Sequence, residues 1–287
     1  HIIIKYDSEI NGLTMVNNYN TDFPGRIVFI SSSESISDYK NNKLEFFELL
    51  DKDSDVDLDI GYEPCGAIMV EVTLDEMEEK SIGFFMGQCS SNENIRTLLE
   101  KYKDMVVAEK ELEAVRKQWR DITGKIKVTT PDKTMDIMLN GWLIYQTISC
   151  RLWGRSGFYQ SGGAYGFRDQ LQDAVNIGML MPEILKNQIL LHCCHQFEEG
   201  DVLHWWHPAA ETKGVRTRFS DDLLWLPYAV VEYIKYTEDK SILNIEVPYI
   251  KSELLKEGED ERYGVPEISP YAGTVYEHCV KAIDKSL

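Results

Sequence analysis

Across residues 1–91 short apolar runs alternate with polar connections. The segments 2–6, 13–18, 26–30, 65–74 and 81–87 are rich in Ile, Val and Phe, and Asn, Asp, Ser and Gly divide them. That pattern predicts the strands of an antiparallel sandwich. From Asn92 the period changes. Ile95, Leu98, Leu99, Tyr102, Met105, Val106, Leu112, Val115 and Trp119 recur at threes and fours with charges between them. This predicts one long amphipathic helix and a bridge between domains. After Pro131 the spacing predicts helices almost to the end of the chain. Pro131 can open a helix that turns Met135, Met138, Leu139, Trp142 and Tyr145 inward, and Pro182 a second through Ile184, Leu185, Ile189 and Leu190. Ser220 is a good N-cap for a helix over 221–236, and 273–287 reads as a last helix. The expected fold class is therefore α+β and multidomain. It has the tail of an antiparallel β-sandwich over 1–91, a helical linker over 92–125, and a helical toroid over 126–287 with its site at one mouth.

The 287 residues carry 48 acidic and 30 basic side chains, a formal charge of −18. Such a balance argues against a nucleic-acid backbone or an anionic membrane as the main partner, since both reward Lys and Arg. With 43% hydrophobic residues the chain can bury a sizeable core. It starts with His1 rather than Met and enters a strand at once, the look of a piece of a longer polypeptide. Six cysteines, none in a CxxC, read as reduced thiols of a cytoplasmic protein.

Asp51, Asp53, Asp55, Asp57 and Asp59 alternate as in a calcium loop, but Val56 stands where glycine is needed and Tyr62 where glutamate is needed. A solvated acidic loop is the better reading. His192, Cys193, Cys194, His195, His204 and His207 crowd together, and imidazole and thiolate suit zinc. Their spacing fits no zinc pattern, which leaves packing or sugar contact. The run from Arg155 to Asp173 is Gly-rich and holds Arg168, Asp169, Gln170 and Gln172 among Tyr and Phe. It lacks the GK[ST] of a phosphate-binding loop and the preceding strand of a dinucleotide site. Arg forks and carboxylates pair with vicinal hydroxyls and aromatic faces stack on sugar C–H surfaces, so a pyranose fits; an Arg–Asp pair capping glycine turns fits as well. In Asp201-Val-Leu-His204-Trp205-Trp206-His207 the two Trp are either a carbohydrate subsite in a loop or a buried seam between helices. Asp221 and Asp222 are an acid/base pair or complements of a helix dipole.

RSGFYQSGGAYGFRDQLQDA, then HQFEEGDVLHWWHP, then GVRTRFSDDLLWLPYAVVEYI, in that order, resemble glycoside hydrolase family 94. That family includes cellobiose, cellodextrin and chitobiose phosphorylases, 1,2-β-oligoglucan phosphorylases and the C-terminal module of cyclic β-1,2-glucan synthases. The resemblance covers essentially the whole chain. It implies a β-sandwich, a helical linker and the first part of an (α/α)6 barrel. It also implies a donor-sugar pocket using Arg168 and Asp169 of the GFRD element and, upstream, Arg155. His204, Trp205 and Trp206 would line the same cavity. The family's general acid is an Asp in a Trp-Asn-Asp-like motif, absent here and expected beyond Leu287, as are the later elements that hold phosphate.

The implied reaction is inverting phosphorolysis of a β-linked glucan. An inverting hydrolase needs two carboxylates, whereas phosphate is already an anionic nucleophile and needs only the acid. No cofactor is implied, and inorganic phosphate is the co-substrate. The expected partners are a β-glucan oligosaccharide, the remainder of the parent polypeptide and a second copy in a homodimer. The run Gly162-Gly163-Ala164 lacks the Arg that helps bind phosphate in the cellobiose phosphorylase type. It looks more like the 1,2-β-oligoglucan and cyclic-glucan branch, whose synthase module transfers glucan without phosphate. A non-catalytic carbohydrate-binding scaffold is the reading from outside enzymology.

Overall fold

The computed structural model describes residues 2–20, 24–50, 63–154, 164–207 and 213–287. The chain forms two compact units, His1–Lys117 and Gln118–Leu287.

In the first unit β1 (Ile2–Asp7), β2 (Gly12–Asn17), β3 (Ile27–Ser32) and β6 (Phe84–Cys89) form an antiparallel sheet in the order β1-β2-β3-β6. Phe29 of β3 and Cys89 of β6 form a small core with Ile10, from the turn between β1 and β2. At Gly12 a β-carbon would collide with the Ile30 carbonyl oxygen, so β2 and β3 approach as they do only because glycine is there. Beside this sheet, β4 (Asp38–Asn42) pairs with β5 (Pro64–Met69), and α1 (Lys43–Leu50) lies between them in sequence. Neither β4 nor α1 was expected, because Asp-Tyr-Lys-Asn-Asn has no apolar alternation to read. The calcium-like run 51–59 lies outside the described residues.

The long helix expected from Asn92 is two. Ser91 caps α2 (Asn92–Tyr102) by accepting from the Asn94 amide, and Ile95 and Leu99 bury against the small core. Asp104 then accepts from the Val106 amide at 2.9 Å and starts α3 (Met105–Thr123). A carboxylate that can cap a new helix ends the old one.

The second unit takes in the last turns of α3 and then α4 (Lys133–Ile137) and α5 (Leu143–Gln146), which alternate with π-helical stretches at Met138–Trp142 and Thr147–Trp153. Asp132 rather than Pro131 begins this run, accepting from the Thr134 amide. The inward face expected here is wrong: Met135, Met138, Trp142 and Tyr145 are exposed, and Ile148 and Leu152 are buried instead. Each π turn holds an extra residue and rotates the apolar stripe off the 3.6-residue period.

Beyond it, α6 (Phe167–Gly178), α7 (Pro182–Cys193), α8 (Trp225–Thr237) and α9 (Val275–Ser286) share one core with Trp206, Phe197 and Leu203. Pro182 occupies the first turn of α7. Thr274 and Glu277 form a reciprocal capping box on α9. The expectation of helices almost to the end fails, because strands lie between these helices. The strands β7 (Tyr165–Gly166), β8 (Leu203–Trp206), β9 (Gly214–Thr217) and β11 (Glu261–Gly264) make an antiparallel sheet in the order β11-β9-β8-β7. A second pair joins β10 (Glu246–Lys251) to β12 (Glu267–Thr274). These strands are short, carry His, Arg, Gly or Pro, and are broken by register shifts, so no period-2 signal survives in the sequence. Ser220 does not cap α8. The helix begins at Trp225 after a 3₁₀ turn, Asp222–Leu224, with no side-chain cap.

Candidate functional site

Pairing of β7 with β8 sets Gly166 opposite Trp205, which brings the first turn of α6 beside β8. That turn carries Arg168 and Asp169. A β-carbon on Gly166 would run into the Asp169 carboxylate, so glycine is what lets that carboxylate fold back over the strand end. From the other side β9 pairs with β8 and leads through Phe219 into the 3₁₀ turn with Asp221 and Asp222.

Arg168 Nη1 lies 3.3 Å from Asp221 Oδ2, with both side chains about half exposed. The guanidinium sits 5.9 Å from the Trp225 ring centroid. His204 Nδ1 lies 2.6 Å from Asp222 Oδ2, and the imidazole stacks on Phe219 with centroids 4.7 Å apart. The two members of this pair differ in setting: the His204 side chain is 37% exposed and that of Asp222 only 3%. The hydrogen bond to Asp222 raises the His204 pKa from its ordinary value; burial works against it, and the charges of Asp222, Asp169 and Asp221 work with it. An arginine, an imidazole and three carboxylates therefore meet at the start of α6. A donor set of Arg and imidazole interleaved with carboxylate acceptors can bind a polyhydroxylated ring from several directions at once.

Of the residues singled out from sequence, Arg168, Asp169 and His204 come together here. Trp205 is half-buried beside His207 and Tyr263, at centroid distances of 5.3 and 5.6 Å. Trp206 does not line a cavity. It is 1% exposed, stacks on His195 at 3.9 Å and packs against Phe167 and His192, so its ring has no face left for a ligand. Arg155 and most of the Gly-rich run lie outside the described residues. The His192–His195 cluster packs the core: His192 and His195 hydrogen-bond through Nδ1 to the carbonyls of Gln188 and Leu191, one turn back.

Sequence reasoning missed Phe219, a lone aromatic in a polar loop, and Trp225, whose flanking Leu224 and Leu226 made it look like core. It also passed over Arg216, which is buried on β9 and grips Asp201 with two nitrogens, each at 2.7 Å. Phe219, Arg216, Arg218 and Leu223 line a cavity of about 380 Å³. Among the described residues no group of three or more His, Cys, Asp or Glu is arranged to hold a metal ion. No helix among them is long and apolar enough to cross a membrane.

Residues 118–287 match the family model of the glycosyl hydrolase 94 superfamily catalytic domain, and residues 1–105 that of the glycosyl hydrolase 94 supersandwich domain. The chain is 36% identical over 302 residues to the cyclic beta-(1,2)-glucan synthase NdvB of Rhizobium meliloti, covering all of this chain and 10% of that protein. It is 27% identical over 253 residues to the N,N'-diacetylchitobiose phosphorylase of Vibrio proteolyticus, covering 78% of this chain and 29% of that enzyme. It is 28% identical over 218 residues to the solabiose phosphorylase of Paenibacillus borealis, covering 76% and 25%. The chain thus spans a tenth of the first relative's length and under a third of the other two.

Proposed function

Because this chain belongs to the glycosyl hydrolase 94 superfamily, we propose that its parent polypeptide cleaves β-linked gluco-oligosaccharides by inverting phosphorolysis. The products are α-glucose 1-phosphate and a shortened glucan, and β-1,2-glucan is the expected substrate. The observation that carries this reading is the meeting of Arg168 and Asp221 with His204 and Asp222 beside Asp169. In the proposal these groups hold the donor sugar, Asp169 accepting from hydroxyls and Arg168 and His204 donating to them. Phosphate attacks the anomeric carbon from the face opposite the departing glycosidic oxygen, which the general acid expected beyond Leu287 protonates. The catalytic domain completes as an (α/α)6 barrel with the rest of the parent.

Incubating the full-length parent with β-1,2-, β-1,3- and β-1,4-gluco-oligosaccharides, with and without inorganic phosphate, tests the reading. α-Glucose 1-phosphate should appear only with phosphate, and from the β-1,2 series. Arg168→Ala and Asp169→Asn should each lower kcat/KM for the glucan by about two to four orders of magnitude, since one charged hydrogen bond lost in the transition state costs about 2–5 kcal/mol. Near-normal kinetics in both variants would overturn the sugar-pocket assignment.

A second reading, glucan transfer without phosphate, is favoured by the likeness to a cyclic glucan synthase over the whole chain. The absence of Arg from Gly162-Gly163-Ala164 also favours it. Redistribution of chain lengths or cyclic product without phosphate would put transfer first.

A further inference from the structure

We propose that Asp222 is a positioning residue for this site, holding the His204 imidazole as a cation so that its free Nε2–H serves as a fixed donor to a substrate hydroxyl. The inference rests on the sugar-pocket reading above and adds a role that the reading does not contain. Asp222 sits in the 3₁₀ turn ahead of α8, flanked by Leu223, which belongs to the core. A carboxylate 97% removed from solvent is costly unless a cation meets it. Among the described residues its partner is His204, through the 2.6 Å contact to Nδ1.

That contact occupies one ring nitrogen and leaves Nε2 as the only polar atom of the ring without a hydrogen bond among the described residues. Phe219 covers one face of the ring at 4.7 Å and limits its rotation. The charged groups that act on the ring are Asp222, Asp169 and Asp221, all of which favour the cation, and the nearby Arg168 is paired to Asp221. Acidic groups outnumber basic ones here, so the pair suits a neutral polyol rather than phosphate. A donor locked in place gives more than a freely rotating one, because its orientation is set before the sugar arrives.

The test uses the full-length parent and the variants Asp222→Asn, His204→Gln and the double variant. The asparagine keeps the shape and one acceptor but removes the charge. Carbethoxylation of His204 by diethylpyrocarbonate, read by peptide mass spectrometry between pH 5 and 9, reports the neutral imidazole whether or not the enzyme turns over. The midpoint should lie above pH 6.5 in the parent and fall by about one pH unit or more in Asp222→Asn. The alkaline limb of the kcat/KM profile for the glucan should move down with it, with a loss of roughly tenfold or more at pH 7. His204→Gln should abolish that limb, and adding Asp222→Asn to it should change kcat/KM by less than about threefold.

An unshifted midpoint in Asp222→Asn, or an equal loss from Asp222→Asn in both backgrounds, would overturn the proposal and leave Asp222 a structural anchor. If Asp222→Asn does not fold, His204→Gln decides: an alkaline limb that persists in it overturns the proposal. A parent inactive on every β-glucan would sink the functional reading while the carbethoxylation midpoint still judged the pair.

Discussion

Arg216→Ala should lower the local stability of the β8–β9 sheet by about 3–5 kcal/mol, the cost of leaving a buried carboxylate without its cation. The Arg216 side chain is 3% exposed and that of Asp201 is 13% exposed. Arg216 Nε and Nη2 each donate to Asp201 at 2.7 Å, and Nη2 also donates to Glu199 at 2.9 Å. Nη1 lies 3.3 Å from both the carbonyl and the hydroxyl of Ser252, and the guanidinium rests 3.9 Å over the Phe197 ring. Alanine removes all of these at once. Arg216→Lys keeps the charge but not the fork, and should cost about 1.5–3 kcal/mol.

Hydrogen exchange of the β9 amides, read by mass spectrometry on the parent polypeptide, measures the opening free energy of that strand. Arg218 provides the control. It is exposed and donates mainly to backbone carbonyls of Leu255, Lys256 and Glu259. Arg218→Ala should cost about 1 kcal/mol. A double-mutant cycle between Arg216→Ala and Asp201→Ala should show a coupling of about 2–3 kcal/mol. A loss below about 1 kcal/mol in Arg216→Ala, or one equal to that of Arg218→Ala, would refute the reasoning, because the desolvated pair would then carry no more than a surface contact. Since Leu203 of β8 faces Arg216 in register, a loosened β9 should also reduce glucan turnover through His204.

Burial against Trp206 pushes the His195 imidazole down to about 4. Its folded value lies below the unfolded one, so stability is full above about pH 6.5 and falls as the pH drops toward 4. At pH 5 the loss is about 2 kcal/mol, and His195→Gln should flatten that part of a denaturant-midpoint profile measured from pH 7 to 5. Thr274→Ala removes the capping box of α9 and should cost about 1 kcal/mol, seen as faster exchange in that helix's first turn. Gly200 and Gly258 both have positive φ, 95° and 79°, but only at Gly200 would a β-carbon meet backbone, 2.5 Å from the Lys281 carbonyl oxygen. Gly200→Ala should therefore lower the thermal midpoint well beyond Gly258→Ala, which carries only the backbone penalty of about 1 kcal/mol.

The strands legible in the sequence were those written as short apolar runs bounded by Asn, Asp, Ser or Gly. The segments 2–6, 13–18 and 26–30 fall within a residue or two of β1, β2 and β3 because short runs of β-branched and aromatic residues between turn formers favour strands. Helices α7 and α9 were legible for the matching reason, an apolar stripe at 3.6-residue spacing. The rest was hidden where local chemistry overrode periodicity. Asp104 splits one apolar stripe into two helices by capping the second, and the π turns after Lys133 carry the right residues around the wrong face.

The site shows the same division between composition and placement. Arg168, Asp169 and His204 stand out by type, and family likeness points to the same segments. What sets them side by side is pairing between β7, β8 and β9, strands of two to four residues that leave no periodic signal. The two tryptophans of Leu203-His-Trp-Trp make the point most sharply. Adjacent in sequence and equally attractive as sugar-stacking residues, they diverge because Trp206 turns into the core of α6 and α7 while Trp205 stays half-open beside Tyr263. Asp221 and Asp222 diverge likewise, one reaching an exposed arginine and the other a half-buried imidazole. A helix-dipole role would have treated that pair alike. Their different partners follow from the 3₁₀ turn that delays α8 until Trp225, and that turn converts two neighbouring carboxylates into two distinct contacts of one site.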